Sequence, residues 1–304
     1  MRYLQAIALL FSAIFLSGNV GALVFYIAKP DGNPDRHNKL IDGILIQSGI
    51  TKGWKVVRGD VDAAHASDKD AILAFGASAL VRSIKATDCK VPIITVLISS
   101  YRYHEIISEV EKDCRVTAIF SDPSPKRQLL LFKSLYGPHA KLSYLVNSQD
   151  SPEIKQFSEF ATSSNIEINY VLADKGRTNI LDSMRESSSI LISKKPTLYK
   201  NLSLEDLLLL SYDLNRQSVI GFERSIVKAG AIATTYSTSA DVASTLFYYA
   251  SELSGKDILF PPDHTKGFSV KINSYVAKSL NVNVPSHEEI ADKIREEFSG
   301  GYYD

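Results

Sequence analysis

The chain has 304 residues, which is enough for about two domains of ordinary size. Hydrophobic residues make up 45% and charged residues 22%, a balance typical of a globular protein with a sizeable core. Lys and Arg together number 34, and Asp and Glu also number 34. The resulting zero net charge argues against a nucleic-acid partner, because such a partner requires a basic face.

Residues 1–22 have the pattern of a signal peptide. Arg2 is the only charge before the uncharged run 4–16, and the short side chains of Val20-Gly21-Ala22 suit signal peptidase. We therefore expect cleavage after Ala22 and a mature protein in the periplasm. An uncleaved membrane anchor is the alternative, because no further charge precedes Lys29. The strongly apolar run is, however, shorter than the roughly 20 residues of a spanning helix.

Beyond the signal pattern, apolar strands alternate with helical segments. The predicted strands are 23–29, 54–58, 71–75, 91–98, 116–120, 142–146, 166–172, 190–193 and 219–222. The predicted helices are 36–50, 79–87, 101–112, 126–136, 151–163, 179–186 and 204–214. Nearly continuous apolar strands in such units indicate parallel sheets covered on both faces. The rhythm repeats in two halves that join near Asp122, so we predict an α/β fold with two lobes facing across a cleft.

The segment 219–236, which reads VIGFERSIVKAGAIATTY, carries the clearest functional signal. It begins as a short buried strand, continues into a polar turn at Glu223, and ends in a second apolar run at Tyr236. An α/β sheet presents groups to a ligand from such turns at the carboxyl ends of its strands.

This segment resembles the pattern P-V-x-G-F-x-x-x-[FY]-V-[KR]-A-G-A-[LI]-A of substrate-binding components of ABC transporters. Ser218 replaces the proline, and Ile226 replaces the aromatic residue. Other segments resemble further motifs of that family in the right order: AFGASA at 74–79, SDPSPKRQL at 121–129, and the segments 142–148, 196–210, 241–255 and 270–284.

The resemblance covers most of the mature chain and implies a type I periplasmic-binding fold. In that fold, two lobes are joined by crossing strands that act as a hinge, and there is no catalysis. The corresponding division of the chain is 23–121 with about 230–262 in lobe 1, 122–229 with about 263–294 in lobe 2, and a loose tail at 295–304.

The chain departs from the family at two places near the expected cleft. After the fourth strand, the segment SSYRYH at 99–104 replaces D-P-x-x-x-G and a longer loop. Lys195 stands where the family has Asp before Pro-Thr. The ligand therefore cannot be transferred from the group of relatives that binds aromatic amino acids, and Lys195 favours a ligand with a carboxylate or phosphate.

Polar and small residues at the expected strand ends are candidates for ligand contact. They are Gly76, Ser78, Ser99 and Tyr101 from lobe 1, Asn147, Ser193 and Glu223 from lobe 2, and Asp122 and Tyr236 near the crossings. We expect Ser and Asn to form hydrogen bonds, Tyr101 to stack and Glu223 to meet a cationic group. Each of them could instead serve only as a turn residue.

Metal and enzyme chemistry have little support in the sequence. The six His residues show no close metal-ligand spacing. Ser78 follows Gly76 but lacks the G-x-S-x-G pattern of a nucleophile elbow. We therefore predict no metal, no cofactor and no enzyme activity.

The two cysteines, Cys89 and Cys114, each precede a predicted strand by two residues. If those strands are neighbours, both thiols lie at one edge of the first sheet, where an oxidising compartment would allow a disulfide. The alternative is two separate, partly buried thiols.

The sequence thus predicts an exported protein that captures a small polar ligand between two lobes for an ABC-type uptake system. Its partner would then be a membrane permease. The alternative is a periplasmic sensory or interaction protein of the same fold that signals to a membrane sensor.

Overall fold

A computed structural model describes residues 23–31, 34–59, 67, 70–110, 113–148, 152–215 and 217–299. The predicted signal peptide lies outside these residues, as do positions 300–304. Within the described part of the chain, no helix combines the length and the apolarity needed to cross a membrane.

The first sheet has six strands, all paired in parallel, in the order β11-β5-β4-β3-β1-β2. These strands are β1 (Val24–Ala28), β2 (Lys55–Arg58), β3 (Asp70–Phe75), β4 (Ile93–Ile98), β5 (Val116–Phe120) and β11 (Asp263–His264). All six residues of β3 are buried, as expected for a strand covered on both faces.

The second sheet also has six strands, in the order β12-β10-β9-β8-β6-β7. These strands are β6 (Lys141–Val146), β7 (Glu167–Leu172), β8 (Ser189–Leu191), β9 (Ser218–Ile220), β10 (Ala233–Tyr236) and β12 (Ser269–Ile272). The predicted parallel pairing holds for the other strands of this sheet, whereas β12, which was not among the predicted strands, runs antiparallel to β10.

Helices cover both faces of each sheet. On the first sheet they are α1 (Pro34–Ser48), α2 (Ile50–Gly53), α3 (Ala77–Thr87), α4 (Ser100–Ser108) and α10 (Ser239–Lys256). On the second they are α5 (Pro125–Tyr136), α6 (Pro152–Ser163), α7 (Gly176–Arg185), α8 (Leu204–Asn215), α9 (Arg224–Ala229), α11 (Ser274–Ser279) and α12 (His287–Ser299). Short 3-10 helices occupy Ala173–Lys175 and Pro196–Tyr199.

Each sheet has one apolar cluster on each face. The two sheets, each with its own pair of clusters, form two lobes. In β3, Leu73 packs with α1 and α10, while its neighbour Ile72 packs with α3 and α4. In β6, Tyr144 and Leu145 divide in the same way between the two faces of the second sheet. This alternation follows from the two-residue period of a strand, and each described cluster draws on one sheet.

The described chain passes between the lobes at 121–124, 237–238 and 265–268. Sheet pairing places β10 in the second sheet and β11 in the first. The later two crossings therefore lie further along the chain than the sequence-based division at about 230 and 263. These short strands contain no local signal for the sheet to which they belong, because their partners are distant in sequence.

The crossing segments are tied to one another by polar contacts. The guanidinium of Arg127, at the start of α5, is buried and donates hydrogen bonds to the carbonyl oxygens of Thr265 and Lys266. The hydroxyl groups of Ser237 and Thr265 are 2.5 Å apart. These contacts hold two crossings together at the junction between the lobes.

The segment predicted as a loose tail is helical as far as Ser299. Ile294 is buried in the core of the second lobe, and the ring of Phe298 lies 5.4 Å from the guanidinium carbon of Arg127. The prediction is therefore wrong for 295–299, because one apolar face of α12 packs against the lobe.

The lobes differ at the amino-terminal edges of their sheets. In the first lobe, β4 and β5 are parallel neighbours, and Cys89 and Cys114 form a disulfide with Cα atoms 4.9 Å apart. In the second lobe, hydroxyl groups meet at this edge: Ser218 donates to Ser189, and Tyr136 lies 2.5 Å from Ser218.

Candidate functional site

A cleft with about 440 Å³ of empty space, which includes space open to solvent, lies between the lobes at the carboxyl ends of their strands. The first lobe and the crossing after it contribute Ser100, Tyr101, Asp122 and Pro123 to its walls. The second lobe contributes Pro125, Gln128, Tyr144, Leu191, Ile192, Ser193, Lys194, Lys195 and Phe222. A small molecule in this cleft would touch both lobes at once.

The first-lobe wall is built around the start of α4. The hydroxyl of Ser99 accepts a hydrogen bond from the backbone N–H of Arg102, which caps the helix. The carboxylate of Asp122 accepts hydrogen bonds from the backbone N–H of Ser100 at 2.7 Å and from its hydroxyl at 2.5 Å. A carboxylate at a helix N-terminus is stabilised by the helix dipole. These polar groups therefore have partners within the first lobe.

The second-lobe wall contains a hydroxyl without a partner. Ser193 follows β8, and its Oγ atom is buried and forms no hydrogen bond with the described residues. Its backbone carbonyl, by contrast, accepts a hydrogen bond from the hydroxyl of Tyr199 at 2.7 Å. Leaving a buried polar group unpaired costs about 1–3 kcal/mol, so a ligand that bonds this hydroxyl would recover part of that free energy.

Two adjacent lysines in the second-lobe wall have different surroundings. Lys194 Nζ lies 3.2 Å from Glu223 Oε2, so a carboxylate balances its charge. Lys195 Nζ lies 5.6 Å from the centre of the Tyr101 ring, which belongs to the first lobe. This distance is within the range of a cation–π interaction, which therefore connects the two lobes across the cleft.

Comparisons with known proteins support this architecture. No protein-family model and no curated protein matches the chain. Among solved structures, one similar protein is the ligand-free, open form of a substrate binding protein with adhesive properties from Clostridium difficile. The TM-score is 0.63 at 13% identity, and the match covers 88% of this chain and 98% of the other.

Two further structures cover 90% of this chain and 98% of their own, each with a TM-score of 0.55. One is an ABC domain in complex with L-Trp from Streptococcus pneumoniae, at 13% identity. The other is a conserved domain protein from Vibrio cholerae, at 14% identity. The chain has a type I periplasmic-binding fold. Similarity at this level of identity shows the fold alone, and it confirms the fold class predicted from the sequence.

Of the candidate residues, Tyr101, Asp122 and Ser193 line the interlobe cleft of this binding fold. Gly76 and Ser78 lie at the end of β3, where the Ser78 hydroxyl accepts a hydrogen bond from the backbone N–H of Asp31 at 3.1 Å.

The remaining candidates have other contacts. Ser99 caps α4, as described above. Asn147 Nδ2 donates a hydrogen bond to Thr197 Oγ1 at 2.5 Å. The ring of Tyr236 packs 4.8 Å from the guanidinium carbon of Arg224 and lines a separate groove on the second lobe. These residues are not among those that line the cleft.

Glu223 lies beside the cleft at the N-cap position of α9, a helix that the sequence analysis described only as a polar turn. Its carboxylate accepts a hydrogen bond from the Ser225 hydroxyl and pairs with Lys194. Partial burial raises the pKa of this carboxyl, but the Ser225 and Lys194 interactions outweigh burial, so the pKa lies below its ordinary value. The acid is therefore ionised near neutral pH and holds Lys194.

Gln128 is the main cleft residue that was not chosen as a candidate. Its side chain is buried, donates to the carbonyl oxygen of Gly221, and accepts from the Thr235 backbone N–H at 2.9 Å. It therefore positions β9 and β10 beneath the cleft. The signal was available, because Gln128 lies in the segment SDPSPKRQL at 121–129, which resembles a motif of substrate-binding components.

The described residues contain no group of three or more His, Cys, Asp or Glu side chains that could hold a metal ion. The residues that line the cleft can offer hydrogen bonding, charge attraction and aromatic stacking.

Proposed function

We propose that this protein is an exported solute-binding protein that captures a small polar ligand between its lobes. It would act as the substrate-binding component of an ABC-type uptake system, with a membrane permease as its partner and no enzyme activity. The observation that carries the proposal is the cleft, in which the buried hydroxyl of Ser193 has no hydrogen-bond partner among the described residues and Lys195 faces Tyr101 of the opposite lobe. Two solved structures of the same fold, a substrate binding protein and a complex with L-Trp, support the proposal.

The cleft favours a ligand with a carboxylate or phosphate group. Such a group would accept a charge-assisted hydrogen bond from Lys195, which contributes about 1.5–3 kcal/mol, and a further bond from the Ser193 hydroxyl. The half-buried ring of Tyr101 would then stack on an apolar part of the ligand. The Asp122 carboxylate already accepts two hydrogen bonds from Ser100. Selection of the ligand would therefore depend on the polar groups of the second lobe.

Ligand capture would be coupled to closure of the lobes. A ligand that contacts Tyr101 in one lobe and Ser193 in the other has more contacts in the closed form, so it shifts the population toward that form. The crossings at 121–124, 237–238 and 265–268 would form the hinge. A permease could then distinguish the closed, ligand-bound form from the ligand-free protein.

Export would be achieved by the signal peptide at 1–22, cleaved after Ala22. N-terminal sequencing of the periplasmic fraction is expected to begin at Leu23. Recovery of chains with intact Met1 in the membrane pellet would contradict cleavage and favour an anchor.

The decisive experiment is to identify small molecules that remain bound to gently purified protein, by mass spectrometry after denaturation. A thermal-shift screen of a metabolite panel, weighted toward carboxylates and phosphates, would complement it. We expect at least one anionic metabolite to raise the Tm, and small-angle scattering with that metabolite to give a smaller radius of gyration.

A metabolite that raises the Tm but leaves the radius of gyration unchanged would contradict closure. If no metabolite binds, and a membrane sensor is recovered with the protein under the same conditions, the sensory or interaction function replaces ligand uptake.

A further inference from the structure

A second groove lies on the outer edge of the second lobe, between β12 and the segment 282–287 that leads into α12. It is larger than the interlobe cleft, with about 1210 Å³ of empty space that opens to solvent. One wall contains Val270, Lys271 and Ile272 of β12, and the opposite wall contains Val282 and Val284.

The groove runs along the backbone edge of β12, where Lys271 is exposed, Ile272 is partly exposed and Val270 is 4% exposed. Side chains of a strand alternate between the two faces of a sheet, so three consecutive residues line one groove only where the strand presents its edge. β12 is the terminal strand of the sheet, and within the described chain it pairs with β10 alone.

The register shows which backbone groups are available. Asn273 N–H donates to the Ile232 carbonyl at 2.8 Å, and residues facing β10 recur at every second position of an antiparallel strand. Lys271, opposite Thr234, therefore bonds to β10. The N–H and C=O groups of Val270 and Ile272 therefore point away from β10, toward the outer edge of the sheet.

Two lysines line the groove together with uncharged polar residues. Lys271 and Lys278 are exposed, and neither ammonium forms an ion pair with any described carboxylate. Tyr236 also lines the groove, and the guanidinium of Arg224 packs against its ring.

Acidic side chains do not balance this charge. No Asp or Glu is among the described residues that line the groove. Two carboxylates lie beside it: Glu288 Oε1 is 3.4 Å from Nε2 of the lining residue His287, and the Glu289 carboxylate accepts a hydrogen bond from the Ser286 backbone N–H at 2.8 Å. The basic groups are thus available to an acidic partner.

We propose that this groove binds an extended segment of a partner protein in which acidic and apolar residues alternate, and that the segment pairs with β12 as an additional strand. The backbone of the segment bonds to Val270 and Ile272, its carboxylates meet Lys271 and Lys278, and its apolar side chains contact Val282 and Val284. Main-chain pairing supplies affinity and alternate side chains supply specificity in this mode of recognition. The inference does not depend on the cleft or its ligand.

The test uses a fluorescently labelled, acetylated and amidated hexapeptide in which Glu and Val alternate, with anisotropy as the readout at low salt. The double variant Lys271→Gln, Lys278→Gln is expected to bind about tenfold more weakly. Lys39→Gln with Lys52→Gln, which removes two exposed lysines from the first lobe, is the matched control and should bind as the parent does. Thermal melting establishes that each variant is folded.

Strand pairing is tested separately by the peptide. Methylation of alternate backbone nitrogens on the edge that faces β12 keeps every charge and side chain, and it should weaken binding about tenfold or more. Hydrogen exchange supplies a second readout in the unaltered protein. The amides of Val270 and Ile272 should exchange more slowly with peptide bound, whereas that of Lys271, already bonded to β10, should change less.

Three results would overturn the proposal. The first is no binding of the acidic peptide at concentrations up to about 1 mM. The second is equal binding of the peptide with Lys in place of Glu, or unchanged affinity in the Lys271→Gln, Lys278→Gln variant. The third is full affinity of the N-methylated peptide, which would show that the peptide does not pair with β12 as a strand.

Discussion

At the cleft, the first lobe uses its polar side chains to complete its own structure, whereas the second lobe leaves one of them available. Ser100 and Asp122 bond to each other across the start of α4. Ser193, at the corresponding edge of the second sheet, has a buried hydroxyl without a partner among the described residues. Under the proposed function, the first-lobe wall would keep its own hydrogen bonds, and the second lobe would supply the groups that select a ligand.

The opposite edges of the sheets show a second contrast. In the first lobe, the loops before β4 and β5 are joined covalently through Cys89 and Cys114. In the second lobe, the equivalent edge depends on hydrogen bonds among Tyr136, Ser189 and Ser218. Two sheets with the same strand order are thus stabilised by different chemistry, and each difference can be tested by substitution.

The largest effect is expected from the disulfide. Changing Cys89→Ser together with Cys114→Ser should lower the free energy of unfolding by about 3 kcal/mol, because the bridge closes a 25-residue loop in the unfolded chain. Urea denaturation measures this loss. The matched change in the second lobe, Tyr136→Phe, should cost about 1 kcal/mol. Two reactive thiols in denatured, unreduced protein would contradict the bridge.

The next effect distinguishes the two adjacent lysines. Lys195→Met should weaken binding of an anionic metabolite from the screen by about 2 kcal/mol, because a charge-assisted hydrogen bond is lost. Lys194→Met is the control, since Lys194 is paired with Glu223 and should have a much smaller effect. Isothermal titration calorimetry measures both. Equal losses in the two variants would show that the cleft attracts anions through its general charge.

A pair of serine substitutions compares the two walls of the cleft directly. Ser193→Ala should weaken ligand binding by about 1 kcal/mol and leave the free energy of unfolding unchanged or slightly higher, because its hydroxyl has no partner to lose. Ser100→Ala should lower the free energy of unfolding by about 1 kcal/mol, because Asp122 loses a hydrogen bond. The contrast fails if Ser193→Ala is the more destabilising change in the ligand-free protein.

The smallest effect concerns the pH dependence of Glu223. Its pKa is lowered in the folded protein, so its contribution to stability is present above the ordinary pKa of a glutamate and disappears as the pH falls through the lowered value. The side chain is 42% exposed, so the contribution should stay below about 1 kcal/mol. NMR titration should show the pKa moving back toward its ordinary value in Lys194→Met. A pKa at the ordinary value in the unaltered protein would contradict the pairing.

The strands of the fold were predictable because their signal is local. β3 is buried throughout and β5 almost throughout, and each appears in the sequence as a continuous apolar run. α9 was missed because six residues are too few to show helical periodicity next to Glu223. The antiparallel pairing of β12 was missed because the direction of a strand depends on the connections before it.

The site was predictable only in part. Strand ends share one edge of a sheet, so Ser193 was chosen for the same reason as Gly76 and Asn147. In the structure, Ser193 lines the cleft, whereas Gly76 and Asn147 are absent from its described walls. Which strand ends face the opposite lobe depends on strand order and on the positions of the crossings.

Local patterns were enough to predict the α/β class and the two-lobed fold, because burial leaves a periodic pattern in each element and because several segments resemble motifs of substrate-binding components in the same order. Only the three-dimensional contacts show that Lys195 faces Tyr101, that Lys194 pairs with Glu223, and that the Ser193 hydroxyl has no partner within the part of the chain that the structure describes. These facts depend on contacts between residues far apart in the chain, and no local pattern encodes the distance between them.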